Sequence, residues 1–140
     1  MQREIKFRAW DNDRKAMVPN ETLCRMAENL LINVNAYKNF QQISSAMLLV
    51  FSDNDFYMQC TGLKDKNGKE IYEGDIVRSD LRKVGKISYN QDHMAFVVLE
   101  NIEMKYYYMT SADEKHIEVI GNIHENPELL DQEEPNGNSK

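Results

Sequence analysis

A chain of 140 residues with 17 basic and 23 acidic side chains, 41% hydrophobic and 9% aromatic, has the make-up of one soluble domain with short appendages. Its longest apolar run, Ala46 to Phe51, is far below the roughly 20 residues a spanning helix needs, and the N-terminus alternates charged and apolar residues, so neither a membrane span nor a secretory signal is expected. Much of the net charge of -6 comes from Glu125, Glu128, Asp131, Glu133 and Glu134, which leaves a nearly balanced body that neither strongly attracts nor repels a polyanion.

Residues 3–10 alternate, with Ile5, Phe7 and Ala9 on one side and Glu4, Lys6, Arg8 and Trp10 on the other, the pattern of a half-buried strand. Asp11 to Arg14 supplies turn chemistry, and Lys15 to Val18 is long enough to pair back, so a hairpin opens the chain. After Pro19, the residues Leu23, Met26, Ala27, Leu30, Leu31 and Val34 recur at helical spacing. This predicts a helix over about 21–32, with Asn20 accepting from first-turn amides. Ala46 to Phe51 and Phe56 to Cys60 read as two strands around the polar turn 52–55.

Asn67-Gly68 is the strongest local signal, because it supplies the two positive-φ positions of a tight hairpin turn. Glu73-Gly74-Asp75 marks another bend. Strands are then expected over 76–78, 85–89, 95–99, 105–109 and 117–120, a run of short segments that suggests a small barrel or roll. Asn126-Pro127-Glu128 has the form of a short helix start, and residues 131–140 lack the apolar content to repay ordering, so a disordered tail is expected there.

Chemical motifs are sparse. Neither Asp65 to Glu70 nor the turns at 11–13 and 53–55 fits a calcium loop, and His93, His116 and His124 with two distant cysteines do not make a zinc spacing. No glycine-rich phosphate loop or nucleophile elbow occurs, so no catalytic residue, metal or cofactor is assigned. Cys24 and Cys60 read as reduced packing residues. Glu73 with Asp75 could do acid and base work but reads more simply as turn chemistry. Tyr106 and Tyr108 share one strand face. Trp10 beside Lys6 and Arg8 has the make-up of a contact anchor, against the alternative of turn packing.

Three blocks carry a resemblance: Arg3 to Asp11 (REIKFRAWD), Thr61 to Val77 (TGLKDKNGKEIYEGDIV), and Ile117 to Ile123 (IEVIGNI) followed by Glu125 to Leu130. In this order, and reaching almost end to end, they resemble the YopX family of bacteriophage and prophage proteins. The resemblance implies a mainly β, β-rich α+β domain over 1–130, with hairpin, helix and strands in 1–60 and an SH3-like barrel or roll in 61–124. It implies a phage or prophage gene and the bacterial cytoplasm, and no established activity.

The expected function is therefore a non-enzymatic accessory protein that binds a macromolecule. An unidentified phage or host protein is favoured, with self-association through a strand edge or the helix from Leu23 to Val34. The candidate contact residues are Arg8, Trp10, Arg82, Lys83, Lys86, Tyr106 and Tyr108. Nucleic-acid binding through Arg82, Lys83 and Lys86 is the alternative, and a small hydrolase using Glu73, Asp75 or His116 is the weakest reading. No small-molecule substrate is evident.

Overall fold

The computed structural model describes residues 4–33, 56–100 and 105–131. The expected strand at 46–51, the turn after it and the tail beyond Asp131 lie outside the described residues. By its contacts the chain divides into two compact units, one of residues 6–59 and one of residues 60–140 with the first five.

In the first unit, β1 (Phe7–Asp11) pairs antiparallel with β2 (Ala16–Val18) on one side and with the start of β3 (Phe56–Lys64) on the other. Asp11 makes the hairpin as its composition suggests. Its Oδ1 accepts the backbone N–H groups of Asp13 and Arg14 at 3.0 and 2.9 Å. The simple alternation expected for β1 does not hold. Ile5 and Phe7 are exposed, whereas Arg8, Ala9 and Trp10 are all buried, Trp10 to 6%. Neighbouring strand residues point to opposite faces, so burial of both Ala9 and Trp10 means that the centre of β1 is covered on both sides. Trp10 sits between Met17 and Phe56, while Phe7, among the described residues, has a strand partner only in β3.

Helix α1 (Asn20–Asn33) lies where the periodicity puts it. Its first turn is closed by the Pro19 carbonyl, which accepts from Thr22 and Leu23 at 3.1 Å. Asn20 does not cap it as expected. Its side-chain oxygen instead accepts the Phe7 N–H at 3.1 Å, tying the helix start to β1. Cys24 is exposed on α1, so of the two free cysteines only Cys60 is a packing residue.

The second unit begins with β3 running on to pair with β4 (Glu70–Tyr72). A bulge at Gly62, whose φ of 85° suits glycine, shifts the register. Thr61 Oγ1 donates to the Ile71 carbonyl at 2.9 Å and accepts the Leu63 N–H at 3.1 Å there. The β3–β4 turn is a hairpin at the expected place but of a different type. Only Gly68 has positive φ (80°), and the Gly68 N–H reaches the Asp65 carbonyl at 2.9 Å while Asp65 N–H reaches Lys69 O at 2.8 Å. That is a type I turn closed by a left-handed glycine, one residue longer than the two-residue turn that Asn-Gly suggested.

Five further strands follow: β5 (Asp75–Ser79), β6 (Val84–Asn90), β7 (Ala95–Glu100), β8 (Tyr106–Tyr108) and β9 (Ile117–Asn122). They form an antiparallel sheet in the order β8-β7-β6-β5-β9. A four-strand meander, a single 3-10 turn at Asp113–Lys115 and a last strand returning beside the first is the connectivity of an SH3-like roll. Ile71, Val77, Ile87 and Ile117 are its buried centre, with Leu63, Phe96, Val98, Met109 and Val119 packed around them. The terminal helix is one 3-10 turn, Pro127–Leu130, shorter than the motif suggested. Among the described residues no helix is long and apolar enough to cross a membrane.

A candidate interaction surface at the β8 edge

The sheet of the second unit has two outer strands, β9 and β8, and they are treated differently. The outer side of β9 is occupied by the unit's own turn. Lys66 N–H donates to the Ile117 carbonyl at 3.0 Å, and Asp65 Oδ2 accepts the Val119 N–H at 2.9 Å. Nothing comparable covers β8 among the described residues.

The register fixes which groups of β8 point outward. Glu100 N–H donates to Lys105 O at 2.8 Å and Met109 N–H to Phe96 O at 3.1 Å, and Val98 lies opposite Tyr107 between them. In an antiparallel ladder the bonded pairs alternate, so Tyr107 turns its backbone groups toward β7, while Tyr106 and Tyr108 turn theirs away from it. An added strand would find those four groups in line.

Tyr106, Tyr107 and Tyr108 are all exposed. The first and third face the β6–β7 turn, where His93 meets Tyr106 at a ring separation of 5.9 Å and Tyr108 at 5.6 Å, edge-on to the latter. The two tyrosine rings stand edge to face at 6.0 Å, and the Tyr106 hydroxyl shares a hydrogen bond of 3.2 Å with His93 Nε2. His93 itself is placed by its N–H on Asn90 Oδ1 at 3.1 Å. The result is an aromatic patch, exposed and cross-braced, beside the open backbone edge. Sequence reading named Tyr106 and Tyr108 but not His93, which is thirteen residues from Tyr106 in the chain and joins it only through the β6–β7–β8 meander.

Tyr107 faces the other way, into a cleft of about 320 Å³ whose walls include Val77, Leu81, Val98, Ile117 and part of Tyr108. At its floor lies Glu100, whose side chain is only 10% exposed, with Lys83 Nζ at 3.6 Å.

The remaining candidates are scattered. Arg8 and Trp10 are buried in the first unit, so neither offers the exposed anchor that their charged neighbours suggested. The reason is the double coverage of β1. Arg82, Lys83 and Lys86 do not form one basic surface either. Lys83 turns to Glu100, Lys86 lies mid-strand opposite Ile76 and Leu99, and Arg82 joins Lys66 and Arg78 around a polar hollow. There Glu118 stands 3.6 Å from both the Lys66 ammonium and the Arg78 guanidinium. Asp80, in the same hollow, accepts or shares a proton with His116 Nδ1 at 2.8 Å.

Nor does Asp75 converge on His116, whose acidic neighbour is Asp80. Asp75 pairs with Asn122 at one end of the β5–β9 ladder, and Ser79 pairs with Ile117, next to His116, at the other. Four residues of strand separate the two by about 13 Å. Asp75 is buried, and its Oδ2 accepts the Tyr72 N–H at 2.8 Å, a turn-forming role.

A profile of the family described as YopX protein matches residues 6–131. The chain belongs to the YopX family. The crystal structure of protein EF1440 from Enterococcus faecalis resembles this YopX-family chain with a TM-score of 0.54 at 24% identity, covering 92% of this chain and 99% of that one, a likeness of fold. The X-ray structure of protein yopX from Bacillus subtilis is similar over 56% of this chain and 61% of that one, with a TM-score of 0.41 and 26% identity. No curated protein matches the sequence.

Proposed function

We propose that this YopX-family chain is a non-catalytic binding module, encoded by a phage or prophage and working in the bacterial cytoplasm, that takes an extended segment of another protein along the outer edge of β8. The observation that carries the reading is the contrast between the two edges: β9 is covered by Asp65 and Lys66, while the outward backbone groups of Tyr106 and Tyr108 lie beside an exposed aromatic patch. Strand addition of this kind draws affinity from main-chain hydrogen bonds and specificity from side-chain pockets on either face. The phage setting rests on family membership. The non-catalytic part is supported by the separation of Asp75 from His116 and by the turn-forming use of Asp75.

The test is selection of displayed peptides on the immobilised chain, followed by rebinding to Tyr108→Pro, which deletes an outward N–H without touching the ladder to β7. Selected peptides should be extended and β-prone and should lose binding to the proline variant by tenfold or about that. Peptides indifferent to Tyr108→Pro, or none selected, would refute the reading.

The cluster of Lys66, Arg78 and Arg82 favours a second reading, contact with nucleic-acid phosphates. Glu118 and Asp80 stand among those cations and offset them. Fluorescence anisotropy with DNA and RNA oligonucleotides should show no salt-sensitive binding; a steep salt dependence that Arg82→Ala reduces would favour this reading instead.

A further inference from the structure

The cleft beneath Tyr107 has a feature that packing alone does not account for. Glu100 continues β7 in phase with Phe96 and Val98, both of which pack against the core, so the strand carries a carboxylate to the floor of a largely apolar hollow. No hydrogen-bond donor of the described residues reaches that carboxylate. Its charge partner is Lys83, whose ammonium at 3.6 Å is beyond hydrogen-bond length and whose side chain is 47% exposed, half in solvent. Its oxygens are not sealed off, since Arg8 Nε is the one side-chain nitrogen or oxygen among the described residues that is both buried and without a hydrogen bond, so a donor entering the cleft can reach them. Asp113 adds a second negative charge to the wall, its Oδ2 occupied by Thr110 N–H and Oγ1 at 2.7 and 2.9 Å. Among the described residues Lys83, Glu100 and Asp113 are the charged groups facing the space, and together they leave it net negative.

We infer that this cleft receives an arginine side chain of the bound segment, its guanidinium on Glu100. The inference rests on the strand-edge reading and gives the partner a chemistry. Residues of an added strand alternate between the two faces, so every second side chain falls on the Tyr107 side. There an aliphatic stem would lie against Val77, Val98 and Leu81, which stands 81% exposed at the rim. The planar head would meet the Tyr107 ring and donate two parallel N–H bonds to the carboxylate. Arginine suits the site better than lysine, because a second point ammonium would only repeat what Lys83 already provides, whereas the guanidinium fork fills both oxygens.

The experiment titrates the full-length 15N-labelled chain with n-butylguanidinium, and in parallel with n-pentanol and n-pentanoate. The guanidinium should shift the amides of Val98, Glu100 and Tyr107 saturably, and Glu100→Gln should weaken it about tenfold, the worth of one charge-assisted hydrogen bond. Lys83→Met keeps the carboxylate and removes the competing cation, so it should bind the guanidinium more tightly even if Glu100→Gln were to fold poorly. Equal shifts with all three probes, preference for pentanoate, no shift at all, or weaker binding by Lys83→Met would overturn the inference. Its failure is separable from that of the strand-edge reading: guanidinium binding should survive Tyr108→Pro, whereas capture of displayed peptides should not.

Discussion

Three backbone N–H groups converge on one carboxylate, that of Asp65. Oδ1 accepts from Asn67 and Lys69 at 2.9 Å, and Oδ2 accepts from Val119 at 2.9 Å across the fold. Burial alone would push this carboxyl up, but the amides of Val119, Lys69 and Asn67 and the Lys69 charge outweigh it and hold it below the ordinary 3.8. Since the acid is stronger folded than unfolded, its stabilisation is complete above about pH 4 and is lost as pH falls through the folded value. Asp65→Ala should cost about 1–3 kcal/mol at pH 7 in urea unfolding, and should flatten the acid limb of a thermal-unfolding series below pH 4. The same residue explains why Asn67-Gly68 located the turn without giving its type. Only the Asp65 side chain, two and four residues from the amides it binds, settles the longer loop, and its third partner is fifty-four residues away.

At the scale of single elements, β8 offers a contrast between neighbours. Proline at 107 would delete an N–H that faces β7, whereas proline at 108 deletes one that faces outward. Tyr107→Pro should therefore lower the melting temperature by several degrees, as expected for about 2 kcal/mol or more, while Tyr108→Pro should melt close to the parent. Equal losses would show that β8 is paired on both sides. The β6–β7 ladder has its own sensitive point at Gly85, where an added Cβ would lie 2.7 Å from Val98 Cγ1 and 2.9 Å from the Leu99 carbonyl oxygen. The oxygen belongs to the paired backbone and cannot swing aside, so Gly85→Ala should destabilise by about 1–3 kcal/mol in denaturant titration. These strands were readable from sequence because short apolar runs alternate with turn residues. Glu100 was not: a charge closing the run Ala95 to Leu99 looks like a strand end, and only its phase with Phe96 and Val98 placed it inside.

For the whole molecule, the legible part was the second unit's succession of strands and the family's three blocks; the illegible part was what covers what. Trp10 and Arg8 were read by alternation, which assumes one wet face, and β1 has none at its centre. Arg82, Lys83 and Lys86 are near in sequence but go to three different surroundings, because the tight link at Ser79 to Lys83 and the strand pleat send them apart. The clamp of Asp65 and Lys66 on β9 has a consequence for growth. A sheet with two bare borders can template an endless ribbon, but among the described residues this five-stranded sheet has a single bare border, so two copies joined β8 to β8 leave it no further strand to pair. Any two-fold pair that sedimentation shows at rising concentration should be lost in Tyr108→Pro, and cutting the clamp with Asp65→Ala is the change that should let this sheet grow into longer assemblies.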